Sequence, residues 1–388
     1  MSIISNIKNV DDSLIFNINN IIDLKISLIN AFRRIIIGDI NLYSLENNNN
    51  KIIFNNTMLD NSYLLQRLSL IPIKSNKDFD YDSLTISMDV ENTTSPIKSY
   101  YVNDFIVKDK NDNVINNNDL FVHTGILFCK IKFNQKLTFE TNLVLNNANA
   151  NNTNSVFTPV SNAMFTFKKS DTLIKKYISD NKLSEDEKKN FNLLTASRFY
   201  EKNKNDSPSV YIFTIETIGQ FYNNELFNIC VNILISKLDV CYNALKNNDS
   251  DKINIIKADT KMIAYDFIFT DEEDTIGNLL SQYLLDRENI HYVGYVVPHP
   301  LENKMIIRVS YNNKDELENI KNELYDVIDT LKDKLNKILI EFNKNFTGNK
   351  LKESSNKEVI ENIDEENPTK SKKISIKKKK TTKVPVDK

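Results

Sequence analysis

Two stretches near opposite ends of the 388-residue chain share one pattern, and that pattern limits the folds open to it. LINAFRRI at 28–35 aligns with IGNLLSQY at 276–283, Asn30 falling over Asn278. In DLKISLINAFRRIIIGDI (23–40), Leu24, Leu28, Phe32 and Ile35 recur every three or four residues, which predicts one apolar helix face. Ile29, Ile36 and Ile37 widen that face and imply burial on two sides. Each stretch is flanked by alternating, strand-like segments and followed by a long helical pattern. After the first, NELFNICVNILISKLDVCYNAL sets Leu226, Ile229, Ile233, Leu238, Cys241 and Leu245 along a helix. After the second, Leu317, Ile320, Leu324, Val327, Leu331, Leu335, Ile338 and Phe342 form the seam of a helix that packs along its length against another. A divergent internal duplication is the simplest account; chance likeness of two amphipathic helices is its alternative.

The two copies are not equally continuous. From about Lys74 to Lys168 the pattern changes to short alternating segments, SLTISMDV, SYYVNDFIV, GILFCKIKF and LTFETNLVL, separated by Asn-rich turns. This reads as a β-rich insert. NNTMLDNSYLLQRLSLIPI ahead of it carries a short helical segment that ends before Pro72. SPSVYIFTIETIG is a strand, with Tyr211, Phe213 and Ile215 on one face, and NNDSDK (247–252) is a polar break. KMIAYDFIFT, HYVGYVV and KMIIRVSY are further strands. The expected class is α+β. A first unit takes 1–45 and 165–246, the β-rich insert 46–164, a second unit 253–346, and a disordered tail 347–388. The tail is acidic and polar first; its last twenty residues, TKSKKISIKKKKTTKVPVDK, hold nine lysines and one aspartate. So few apolar residues cannot bury enough surface to fold. Lysine runs bind phosphate-rich partners without reading sequence and also look like nuclear-localisation signals; a solubilising end is the plainer alternative.

Composition removes several classes of function. A net charge of -2 gives no global attraction to nucleic acid or to a membrane, and no apolar run approaches the ~20 residues of a membrane span. The opening MSIISNIKNVDDS lacks the pattern of a signal peptide. Cys129, Cys230 and Cys241 lie far apart, with no CxxC pair, so neither a zinc ribbon nor a disulfide framework is expected. The six glycines are too isolated for a phosphate-cradling loop, and with three histidines there is no HExxH; no GxSxG occurs. Heavy use of Asn, Ile and Lys reads as nucleotide bias in the source genome.

The acidic residues of DEEDTIGNLLSQYLLD (271–286) could suggest metal ligands or an acid–base pair. Capping is the expected role. Negative charge at a helix N-terminus complements its dipole, and Asp274 or Thr275 is placed to accept from free N–H groups. Asn30 and Asn278 are either polar residues on a free face or buried amides bonded across an interface. Arg33 and Arg34 would ordinarily be solvated or salt-bridged. Pro298, His299 and Pro300 make a stiff corner between strands, with Glu302 within reach of the histidine or the nearby backbone.

These residues resemble the alpha-type assembly subunits of multisubunit DNA-directed RNA polymerases. NAFRRIIIGDI followed by NNTMLDNSYLLQRLSLIPI is similar to that family's Asn-Ala-x-Arg-Arg helix and its Asn-Thr…Asp…Arg-Leu-x-Leu-Ile-Pro segment. SPSVYIFTIETIGQFYNNELFNICVNILISKL resembles its later strand, with Glu-x-x-Gly, and long helix. DEEDTIGNLLSQYLLDRENIHYVGYVVPHPLENKMIIRV looks like the small partner subunit, and VPHPLE is its most specific part. The chain thus resembles the eukaryotic-type third and eleventh subunits fused, over about residues 1–345, as in large cytoplasmic-replicating DNA viruses. The resemblance implies a non-catalytic platform in which two alpha-like dimerisation units form an intramolecular pseudo-dimer. Its interface would use Leu28, Asn30, Phe32, Ile35, Ile276, Asn278, Leu279, Leu280, Leu324 and Leu331, with both asparagines as buried amides. Arg33, Arg34 and Arg67 would contact a large subunit. Partners would be the largest and second-largest polymerase subunits and small polymerase subunits, with DNA reached only through the complex or the tail, no membrane and no homodimer. The implied location is intracellular, in the host cytoplasm and virion, with the nucleus open to it through the lysine-rich tail. Some relatives carry a cysteine cluster in the insert; Cys129 stands alone there, so no metal and no cofactor is expected. The rival reading is a free-standing nucleic-acid-binding protein acting through the tail.

Overall fold

The chain begins with an antiparallel hairpin, β1 (Ile4–Val10) and β2 (Ser13–Asn19), turned at Asp11, whose φ of 49° an aspartate tolerates. The computed structural model describes residues 2–45, 51–75, 79–94, 96–149, 155–260, 263–299, 302–311 and 317–365, with side chains as far as Phe346. The chain falls into two compact units, Met1–Asn345 and Phe346–Lys388. After the hairpin, α1 (Ile26–Gly38) buries Leu28, Ile29, Ala31, Phe32, Ile35 and Ile36, so the widened stripe is packed on more than one side.

Between α1 and the return to the first sheet lies the β-rich region. It comprises β3 (Leu42–Ser44), β4 (Lys51–Asn55), α2 (Asn61–Ser69), β5 (Thr85–Asn92), β6 (Lys98–Tyr101), β7 (Ile106–Lys108), β8 (Val114–Ile115), α3 (Asn117–Leu120), β9 (Leu127–Ile131), β10 (Gln135–Asn142) and β11 (Val144–Asn146). β4-β10-β5-β7-β8 form one sheet, while β6-β9 and β3-β11 pair separately. A core of its own fills the region, with Phe105, Phe121, Phe128 and Phe139 among its members. The helix α2 starts where the Asp60 carboxylate accepts from the Ser62 N–H at 2.8 Å, and it stops ahead of Pro72.

β12 (Val160–Phe167) returns to the first sheet, so that sheet resumes ahead of residue 164, where the sequence reading ended the insert. Then come α4 (Asp171–Asp180), α5 (Glu185–Leu194), β13 (Val210–Thr217) and the 25-residue α6 (Asn223–Asn247). The helices α4 and α5 lack the broad buried stripe of the longer helices. The second half follows: β14 (Ile253–Lys257), β15 (Ala264–Thr270), α7 (Asp274–Leu284), β16 (Ile290–Val296), β17 (Lys304–Tyr311) and α8 (Leu317–Glu365).

The two four-stranded sheets are antiparallel throughout and share one strand order. The first runs β1-β2-β13-β12 and the second β14-β15-β17-β16. In each, a hairpin leads into a helix, two more strands follow, and a long helix comes last. Inward side chains alternate as a half-buried sheet requires: Leu14, Phe16 and Ile18 on β2, and Phe267 and Phe269 on β15. The helix α8 extends through Glu365, past residue 347 where the disordered tail was expected. The segment is rich in Lys and Glu, which favour helix without needing an apolar partner. The lysine-rich end, from 366, lies outside the described residues, as does Pro300.

Close packing of α7 on its sheet depends on Gly277. A Cβ there would lie 2.6 Å from Tyr295 Cδ2 and 3.1 Å from Met305 Cγ, whereas one at Gly125 would meet nothing within 4 Å. Gly277→Ala is therefore expected to cost about 1–3 kcal/mol, read as a lower urea midpoint, while Gly125→Ala leaves the midpoint nearly unchanged.

Candidate assembly interface

The long helices of the two halves run antiparallel against each other. Contacts at both ends and between fix this direction. Asn228 Nδ2 donates to Asn343 Oδ1 at 3.0 Å, Lys332 Nζ is 2.5 Å from Asp239 Oδ1, and the Tyr242 and Tyr325 rings lie 5.0 Å apart. At the far end Lys321 Nζ donates to Asn248 Oδ1 at 3.1 Å. Asn248 takes the left-handed conformation (φ 48°, ψ 47°) that ends α6, so the link between the halves is itself held on α8.

Phe342 carries α8 into the core of the first half. Its ring lies 4.7 Å from Phe227 and 5.3 Å from Phe16, and Phe227 is 5.4 Å from Phe32 on α1. These rings are fully buried, and their mostly tilted or edge-on geometry suits the aromatic quadrupole. On either side of Phe342, α8 also clamps the start of the first strand and the residues ahead of it. The Glu341 carboxylate accepts from Ser2 Oγ and the Ile3 N–H, both at 2.6 Å, and Asn345 Nδ2 donates to the Ile4 carbonyl at 2.7 Å. Partial burial raises the Glu341 carboxyl, but the bonds from Ser2 and the backbone outweigh it and hold the group below its ordinary range.

The short helices α1 and α7 also run antiparallel. Near the end of α1, Arg34 Nε donates to Thr275 Oγ1 at 2.8 Å, with Glu273 and Asp274 at 3.9 and 4.0 Å. At its start, Lys25 is 2.5 Å from Asp286, its N–H donates to the Tyr283 hydroxyl at 3.1 Å, and its ammonium bonds the Gln282 carbonyl. Burial pushes the Tyr283 phenol up to about 12, so it stays neutral and can both accept and donate. Lys334 of α8 joins this end by donating to the Asp23 carbonyl at 2.7 Å; burial lowers its ammonium, the main cause of its shift. An open cleft of about 640 Å³ lies alongside, lined by Asp23, Lys25, Ser27, Asn278 and Gln282 among others.

Leu28, Phe32, Ile35, Ile276, Leu279, Leu280, Leu324 and Leu331 are all buried. Several other expectations need correction. Asn30 and Asn278 are only half-buried. Asn30 Oδ1 accepts from Arg33 Nε of its own helix at 2.9 Å, and Asn278 lines the open cleft. Arg34 is turned onto α7 and Arg67 inward, donating to the Phe128 carbonyl at 2.8 Å and to that of Leu127; bonds within the chain engage both guanidinium groups. All three arginines are half-exposed, and Arg33 bonds Asn30 of its own helix.

The acidic run does not cap α7 by hydrogen bonding. Glu273 holds the N-cap position without a side-chain bond. Its neighbours find cations instead: Asp271 pairs with Lys252 at 2.9 Å and Glu272 with Lys237 at 3.5 Å. In the connection between β16 and β17 the Glu302 N–H donates to the His299 carbonyl at 3.0 Å. The Glu302 carboxylate bonds Lys304, which holds it below its ordinary range. The sequence reading missed Lys237 and Glu341. A single charge inside the apolar run ILISKL was the available signal for the first.

Among the described residues no group of three or more His, Cys, Asp or Glu could hold a metal ion, and no helix is long and apolar enough to cross a membrane. Cys129, Cys230 and Cys241 are free and buried, and burial pushes all three thiols up.

The comparison with known families falls on this second half. Residues 264–339 match the RNA polymerase Rpb3/Rpb11 dimerisation domain. Relatives include the DNA-directed RNA polymerases I and III subunit rpc19 of Dictyostelium discoideum, 38% identical over 64 residues, or 16% of this chain and 55% of the relative. A probable DNA-directed RNA polymerase II subunit RPB11 of Caenorhabditis briggsae is 41% identical over 64 residues, covering 16% and 52%. The chain spans about half the length of these curated relatives. The matched residues run from β15 into α8 and include the seam side chains from Ile276 to Leu335.

Phe342→Ala opens a cavity where three elements meet and is expected to cost about 3–5 kcal/mol. Urea unfolding followed by circular dichroism checks it; a change below about 1 kcal/mol would show that the ring is not buried as described.

Proposed function

We propose that this chain is the assembly platform of a DNA-directed RNA polymerase, two alpha-like halves fused as an intramolecular pseudo-dimer. One observation carries the reading. The segment that matches a dimerisation domain already has a partner, the first half of the same chain, against which α7 and α8 are packed. The shared strand order of the two sheets supports a common origin of the halves. Residues 248–252 join α6 to β14, so the halves face each other at an effective concentration on the order of mM and in a fixed one-to-one ratio.

On this reading the chain performs no chemistry. It nucleates the largest and second-largest subunits, whose joint cleft carries out nucleotidyl transfer, and small subunits join the same assembly. Arg33, half-exposed on α1 and bonded to Asn30 of the same helix, would meet a large subunit, where a planar guanidinium suits a desolvated polar contact. The β-rich region offers a second surface. The same reading puts the protein at a cytoplasmic site of viral transcription and in the virion, with nuclear entry through the lysine-rich end.

Affinity purification of the tagged chain from its natural source, washed in about 1 M salt where the Debye length is ~3 Å, tests this. Two much larger chains are expected to stay bound, with and without residues 347–388, because packed apolar contacts resist screening. Loss of all partners in salt or on removing the tail would instead favour a nucleic-acid-binding protein acting through its lysines.

A further inference from the structure

Where α1 ends beside α6, two carboxylates share one lysine. Lys237 of α6 places Nζ 3.5 Å from Glu272 Oε2, in the loop between β15 and α7, and 3.7 Å from Asp39 Oδ2 at the end of α1. Both carboxylates are well buried, the Glu272 residue 6% exposed and the Asp39 side chain 11%. Asp39 is fixed from behind. Its other oxygen accepts from Asn149 Nδ2, and the Asn149 N–H donates to the Gly38 carbonyl at 3.1 Å. Gly38 permits this approach, since a Cβ there would lie 2.7 Å from the Asn149 amide.

The surrounding charges do not balance the cluster. Asp271 takes Lys252, and Arg34 faces Glu273 and Asp274. On α6, Cys241 sits one turn beyond Lys237, and burial pushes its thiol up, so it stays neutral. Asp39, Lys237 and Glu272 thus carry two negative charges and one positive when fully ionised. An uncompensated buried charge is costly, and taking up a proton removes it. Glu272, the more buried acid, is the group to take it. Burial raises its carboxyl to about 7, the neighbouring Asp39 and Glu273 adding to the rise against the pull of Lys237.

We propose that Asp39, Lys237 and Glu272 form a proton-operated latch that fastens the loop leading into α7 to the α1–α6 pair. The latch belongs to the fold of the chain itself and stands whether or not the polymerase reading holds. With Glu272 protonated, one Asp–Lys pair and one neutral acid share the site. With Glu272 ionised, two carboxylates compete for one ammonium and the loop loosens.

The direction of the pH dependence follows. The folded group titrates near 7 and the unfolded group near 4.5, so the folded state binds more protons between those values. The stabilisation is present at low pH and is lost as pH rises through that window, then stays level. Because the folded acid is mostly protonated at pH 6 and mostly ionised at pH 8, the folded-to-unfolded ratio falls roughly tenfold between them on this account.

Urea unfolding of the full chain at pH 6 and pH 8 is the test, together with hydrogen–deuterium exchange of residues 271–277. Glu272→Gln mimics the protonated acid at every pH and is expected to remove the tenfold difference and to slow exchange of the loop at pH 8. Asp39→Asn removes the repelling charge and should shrink the difference; Lys237→Met should enlarge it. The proposal is overturned if Glu272→Gln keeps the pH dependence of the parent, or if loop exchange, corrected for its intrinsic rate, does not change between the two pH values in the parent alone.

Discussion

The packing of α8 against α6, closed by Phe342 among Phe227 and Phe16, is the contact on which the rest of the structure depends. It is the point where the second half enters the core of the first. Burying a phenylalanine contributes about 1.5–3 kcal/mol, and edge-on neighbours add to that. Each half alone would leave one face of its long helix and of its short helix bare to water, a cost that packing the two together removes. The polar contacts at the rim set direction and register, which apolar packing by itself specifies poorly. Lys332 with Asp239, Lys25 with Asp286, and Arg34 with Thr275 can all form only with both helix pairs antiparallel.

That geometry connects to assembly in a simple way. A platform must present its outer surfaces in a fixed relation before larger chains can dock on them. On the proposed reading, joining the halves through five residues, with Asn248 tethered to Lys321, would turn an encounter between subunits into a folding step. The β-rich region grows from the first half only, with its own core, and makes the two halves unequal. On the proposed reading, that inequality would let the chain tell two different large partners apart, which two identical halves could not.

Much of this was legible in the sequence, for identifiable reasons. The helices α1, α6, α7 and α8 announce themselves because each buries a stripe at helical spacing, and side chains such as Phe32, Leu279 and Leu331 are buried as their positions predict. Asn278 could be aligned with Asn30 in the first half without any knowledge of contacts. The helices α4 and α5 were not legible from periodicity, because α4 buries no residue completely and Leu193 and Leu194 of α5 are 81% and 76% exposed. Their signals are local: Ser170 accepts from the Leu173 N–H, and Glu187 accepts from both Ser184 N–H and Oγ. The roles of single polar residues were the least legible. Asn30 and Arg34 lie four residues apart on one helix, yet one serves its own helix and the other reaches across the seam, a difference set by what α7 brings opposite them.

Zero-length carbodiimide cross-linking of the purified chain, with peptide mapping of the monomeric fraction, addresses the central claim most directly, since it joins only lysines and carboxylates already in contact. The account predicts Lys332–Asp239 and Lys25–Asp286 links within single chains, independent of protein concentration. Recovery of those links only from dimers, or their absence while Lys252–Asp271 forms within the second half, would contradict it.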